Sequence, residues 1–102
     1  MLDLLKRTKA NSVLFISGDR HWAELSRLDR PGDYPLYDLT SSALTETHRR
    51  GTPTSNRFRD GPTYHDTNVG LITIGWRATD PEVLLQAIDV DGTARIGKKI
   101  TF

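Results

Sequence analysis

The chain has 102 residues, with 14 Lys and Arg against 13 Asp and Glu, for a formal net charge of +1. That length makes one compact domain at most, and folding alone buries roughly 65% of the surface of the extended chain, so the core it can build is small. The near balance of charge argues against a nucleic-acid partner, the absence of cysteine removes disulfides, thiolate nucleophiles and cysteine-based zinc sites, and the longest apolar run, Val13 to Ile16, falls far short of the ~20 residues that span a bilayer.

The opening Met1-Leu2-Asp3-Leu4-Leu5-Lys6-Arg7 lacks the basic start and long apolar stretch of a signal peptide, which leaves the compartment open. Leu2 and Leu5, with Leu4, stand at helical spacing and read as the last turns of a helix. Val13-Leu14-Phe15-Ile16 is continuously apolar and rich in strand formers, the pattern of a strand covered on both faces, and it stops at Ser17-Gly18. Two covered faces need two covering layers, and the chain offers only one further helical stretch, around Ala43 to Arg49. The expectation is that something beyond these residues covers the strand.

Ala23 to Leu28 alternates apolar and polar residues, Asp29-Arg30-Pro31-Gly32-Asp33 supplies a turn, and Tyr34 to Leu39 resumes an extended pattern, which predicts an antiparallel pair. Thr45 to Asp66 is polar, with Gly51, Pro53, Gly61 and Pro62, and reads as a loop long enough to be functional or disordered. Gly70 to Trp76 predicts a strand, Thr79 to Glu82 a turn, Val83 to Val90 a second strand, Asp91-Gly92 a hairpin turn, and Ala94 to Phe102 a third strand. In that last strand Ala94, Ile96, Ile100 and Phe102 share a buried phase that Lys98 interrupts, either as an edge charge or as a side chain snorkelling past its neighbours.

The chemistry concentrates in Ser17-Gly18-Asp19-Arg20-His21-Trp22, at the carboxyl end of the first strand, where open α/β sheets place their ligands. Asp19 and His21 are two residues apart, so in extended backbone their side chains point the same way. A carboxylate and an imidazole on one side make a reasonable pair of metal ligands, and Gly18 lets the chain turn. An isolated string of this kind more often just caps a loop, so its context decides. Gly18-Asp19 is not a phosphate-cradling P-loop, because the remaining glycines and the terminal Lys-Ser/Thr are absent.

That context is three blocks, Ser17 to Arg27, Tyr34 to Ser42 and Asn68 to Ile72, whose order and spacing closely resemble the C-terminal part of the alkaline phosphatase D (PhoD-like) metallophosphatases. The resemblance covers most of the chain. In that family a Gly-Asp-x-His string replaces the terminal Gly-His-x-His motif of calcineurin-like phosphoesterases, whose fold is two β-sheets between helical layers. The implied fold class is therefore α/β to α+β, with residues 1–102 as a single partial domain, the mostly β C-terminal segment of a four-layer α/β/β/α sandwich. The resemblance makes Asp19 and His21 the metal-site residues. It also implies two or more divalent or trivalent ions, iron and calcium among them, and a phosphoester substrate.

The earlier motifs that carry the family's other ligands are missing from this sequence. Two or three ligands do not hold a two-metal cluster, so the segment is expected to be inactive alone. Several further residues are candidates for lining the site. Arg57 and Arg59, with Arg49 and Arg50, have the forked guanidinium that suits phosphate oxygens. Trp22 would form a wall beside the metals, and Asn68 would position a ligand, although an Asn before a strand is more often a turn former. Val69 stands where relatives often carry Phe. His65 and Asp66 lie just ahead of Asn68, His48 reads as a solvated loop residue, Thr40-Ser41-Ser42 as structural hydroxyls, and Trp76 as a core aromatic. The alternatives are a non-catalytic β-rich binding module with a basic loop, or binding of a polyanion by that loop.

Overall fold

The computed structural model describes residues 1–10, 12–45, 55–76 and 81–101. The chain opens with helix α1 (Leu2–Thr8), which buries Leu5 and ends on Lys9 in the left-handed conformation, φ 56°. The amide N–H groups of Lys9 and Ala10 donate back to the carbonyls of Lys6 and Leu5 and satisfy two of the carbonyls that a helix end leaves open. Lys6 and Arg7 in the last turn suit the negative end of the helix dipole.

Strands β1 (Leu14–Ser17), β2 (Ala23–Leu28) and β3 (Leu36–Ser41) form one sheet in the order β1-β3-β2. β1 runs parallel to β3, and β2 is antiparallel to it, with Leu25 opposite Leu39 and Leu28 opposite Leu36. The antiparallel pair read from the alternating pattern is present. Its turn closes with the Asp33 N–H donating to the Arg30 carbonyl and Gly32 at φ 72°. Strands β4 (Asn68–Gly75), β5 (Glu82–Asp89) and β6 (Ala94–Thr101) form a second, antiparallel sheet in chain order.

The two sheets pack face to face. Ala23, Leu25, Tyr37 and Leu39 from the first meet Val83, Leu85, Ala87, Ile96 and Ile100 from the second, with Leu25 and Leu85 the largest fully buried side chains. The period-2 alternation of β5 makes this possible, since Val83, Leu85, Ala87 and Asp89 all face inward. The described part of the protein is therefore mostly β, two small sheets with one short helix.

Five expectations of the fold change, the first being Trp76, which is not a core aromatic but 74% exposed. β1 is not covered on both faces: it is an edge strand paired with β3, Leu14 and Phe15 are half-buried, and Ile16 is 70% exposed. The long loop is only partly irregular. Residues 58–64 run along the outer edge of β2, where Arg27 N–H donates to the Phe58 carbonyl, Asp60 N–H to the Leu25 carbonyl, and Ala23 and Tyr64 exchange both of their backbone bonds.

The inward phase of β6 breaks at a bulge: Ala87 pairs with Ile96 and Ile88 with Ala94, so Arg95 is the extra residue and Ala94 is exposed. Ala43 to Thr45 are not helical; residues 46–49 of the predicted helix, which include His48 and Arg49, lie outside the described residues, as do Arg50, 77–80 and Phe102. Lys98 behaves as a snorkelling side chain, its ammonium 3.5 Å from Asp60 Oδ2 and 6.0 Å from the centre of the Tyr37 ring.

Candidate metal-ligand loop

β1 and β3 are parallel, so both end at the same edge of the first sheet, and the loop 18–22 crosses that edge on its way to β2. Ser42, the residue after β3, sits under the loop. Its Oγ accepts the backbone N–H groups of Arg20 and His21, each at 2.9 Å, and donates at 3.4 Å to the Trp22 carbonyl. The approach is close, since a Cβ added to Gly18 would lie 3.4 Å from the Cβ of Ser42.

Asp19 and His21 are both left-handed, with φ of 63° and 62°. The extended backbone read from the sequence is therefore not what forms here, and the argument from strand periodicity does not apply to this pair. Asp and His are among the few side chains that tolerate this region, at about 1–2 kcal/mol per residue. Two such residues, two apart, persist only where their surroundings hold them. Ser42 does so from below, and the buried Trp22 anchors the loop where it enters β2.

The Asp19 side chain is exposed and that of His21 half-buried. The Trp22 indole stacks on His65 with ring centres 5.5 Å apart and a 35° tilt, and the Arg20 guanidinium lies 5.9 Å from the Trp22 ring centre. His65 Nε2 is 2.9 Å from Thr63 Oγ1. A cleft of about 430 Å³ runs from the loop into the seam between the sheets, bordered by Ser17, Gly18, Ser41, Gly70 and Ile72.

Carboxylate oxygen and imidazole nitrogen suit a hard or borderline ion. Protein metal sites, however, use three or four protein ligands, and among the described residues no group of three or more His, Asp or Glu side chains is gathered closely enough to hold an ion. The described residues thus fit part of a metal centre and not a whole one.

The other sequence candidates separate. Trp22 belongs to the loop as expected. Asn68 is buried and fully engaged: its Oδ1 accepts from Ser41 Oγ at 2.7 Å, its Nδ2 donates to the Asp66 carbonyl at 2.7 Å, and its N–H donates to the Ala43 carbonyl. Those bonds tie the start of β4 to the end of β3, which is a structural task.

Arg59 faces Ser26, three residues along β2 from Ala23 and so about 10 Å from the loop end of that strand. Its Nε donates to the buried Glu24 carboxylate at 2.6 Å. Arg57 lies further still, with its guanidinium over Phe58, whose carbonyl meets Arg27. The sequence reading did not single out Ser42 as the clamp, Arg20 as the loop's cation or His65 as the partner of Trp22. Only Arg20 was legible there, as the residue between the two ligand candidates. Comparison with family models, curated proteins and solved structures returns no match to this chain.

Proposed function

We propose that the chain is the C-terminal portion of a PhoD-like, metal-dependent phosphoester hydrolase, contributing Asp19 and His21 to a metal centre whose remaining donors come from elsewhere. The observation that carries this reading is the pair of left-handed, non-glycine residues at the carboxyl end of β1, clamped by one serine hydroxyl. Backbone strain of this kind collects where side chains must be aimed, and both residues are of ligand type. The three sequence blocks that resemble the family support it, and so does the exposure of Ile16, Val69 and Leu71, which further layers of a four-layer sandwich would cover.

The ions would be those the family resemblance suggests, iron and calcium. The described residues offer too few donors for a cluster, so what they contribute is two aimed ligands and an aromatic wall.

The test is calorimetric titration of the chain with Mn²⁺, alongside an assay of bis(p-nitrophenyl) phosphate hydrolysis. The expected result is weak Mn²⁺ binding that falls at least tenfold in His21→Ala, with no turnover by the monomer. Robust turnover by a verified monomer overturns the reading as a partial domain. Mn²⁺ binding indifferent to His21→Ala overturns the site and favours the rival reading of a non-catalytic β-rich binding module. That rival draws on the open apolar edge of β4, where Val69, Leu71, Ile72 and Ile74 are all exposed.

A further inference from the structure

The sequence points to arginines of the long loop for phosphate contact, but the geometry points to another residue. We infer that Arg20 is the phosphate-binding side chain of this site, taking an oxygen of a phosphoester. The substrate class rests on the functional reading above.

Four described arginines pair with a carboxylate of the chain: Arg27 with Asp29, Arg30 with Asp33, Arg59 with Glu24 and Arg95 with Asp89. A guanidinium held by an internal carboxylate has its charge compensated and its donors occupied. Arg20, like Arg7 and Arg57, makes no ion pair among the described residues, and of these three it alone lies in the loop that carries Asp19 and His21. It is exposed, it lies between the two ligand-type residues, and its guanidinium carbon lies 5.9 Å over the ring centre of the buried Trp22.

Its backbone is fixed as well, because its N–H is one of the two that Ser42 accepts. A cation held over an aromatic face at this distance leaves its N–H donors unused, and a guanidinium fork matches two phosphate oxygens at once. Trp22 in turn packs against His65 with ring centres 5.5 Å apart, so the cation lies beside a pair of rings anchored in the protein.

The experiment uses the full chain carrying Trp76→Phe, which removes the 74%-exposed second tryptophan and leaves Trp22 as the sole indole fluorophore. Inorganic phosphate and, separately, dimethyl phosphate are titrated against Trp22 emission at constant ionic strength balanced with chloride, without metal. The expected result is a saturable change with inorganic phosphate. Its apparent affinity falls at least tenfold in Arg20→Gln and less in Arg20→Lys, which keeps the charge but not the fork. A matching response to dimethyl phosphate assigns the site to diesters; a response to inorganic phosphate alone assigns it to monoesters.

The inference is overturned if Trp22 does not respond to either probe, or if the response survives Arg20→Gln unchanged in a chain whose circular dichroism matches the parent. Mn²⁺ titration of the same variants separates the two ideas. A phosphate response that depends on Arg20 without any Mn²⁺ binding leaves the anion site standing and removes the metallophosphatase reading. Mn²⁺ binding that depends on His21, with no phosphate response, does the reverse.

Discussion

Ser42 is the residue on which the loop geometry turns, because one hydroxyl oxygen serves two consecutive N–H groups beside two left-handed residues. Ser42→Ala removes both acceptors, and since water can replace them at this half-exposed position the expected loss of stability is only about 1 kcal/mol. The larger effect is local. Amide exchange at Arg20 and His21 should quicken by several fold while the β5 amides are unchanged, and Mn²⁺ binding should weaken; equal exchange in both chains would mean that the loop is held by something else.

Asp89 gives a second residue-scale effect, this one on stability. Its nearly buried carboxylate accepts the Asp91 and Thr93 N–H groups at 2.9 Å and the Arg95 Nε–H at 2.7 Å. The Arg95 hydrogen bond first, then the backbone bond from Thr93, hold its pKa below the usual aspartate value. A depressed folded pKa means stability that is present above the unfolded value, near pH 4, and lost as the pH falls through the folded one. Asp89→Asn should therefore lower the melting temperature at pH 7 and flatten its decline below about pH 4. A parallel decline in the two proteins would show that Asp89 is not the group responsible.

At the scale of elements, what could be read ahead of the structure was local. The Asp91-Gly92 turn forms with Gly92 at φ 81° because Gly alone enters that region freely, and the alternation of β5 becomes its inward face. The bridging of residues 58–64 to the edge of β2 was not legible. An edge pairing made by Arg27 with Phe58 and by Ala23 with Tyr64 leaves no periodic trace in a polar stretch with Gly61 and Pro62. The bulge at Arg95 was hidden for a related reason, since the extra residue shows only against its partner strand.

β4 is the element with the clearest consequence. From Val69 to Gly75 it carries no charge and no proline, and each of those residues is exposed. Natural edges usually carry charges, bulges or prolines that block pairing with another chain. The isolated chain should self-associate with rising concentration in sedimentation velocity. Leu71→Lys should return it to the monomer, with stability changed by no more than about 0.5 kcal/mol because the side chain is on the surface. Identical sedimentation of both proteins at high concentration would sink the prediction.

The whole molecule is thin. Its radius of gyration is 14.5 Å against about 13 Å for a compact domain of this size, and its shortest extent, 19 Å, is that of two packed layers and little more. The ligand-type pair was visible in the sequence as two residues flanking Arg20, whereas the residues that support it come from the end of β3 and from the segment before β4, and only folding brings them together. Asn68 is where the two sheets are tied beside the loop, and it separates a structural from a binding role. Truncation in Asn68→Ala leaves the half-buried Ser41 Oγ and the carbonyl of the exposed Asp66 without their partner, and since water can reach both the cost is about 1 kcal/mol. For a chain of this size that is a fall in melting temperature of about 5 °C. If the tie is structural, the variant melts early yet shows the parent's Trp22 response to phosphate at a temperature well below its transition. If Asn68 instead contacts the anion, the order reverses, with a normal melt and a lost response. The geometry favours the first, because the acceptor and the donor of its amide are already engaged within the protein.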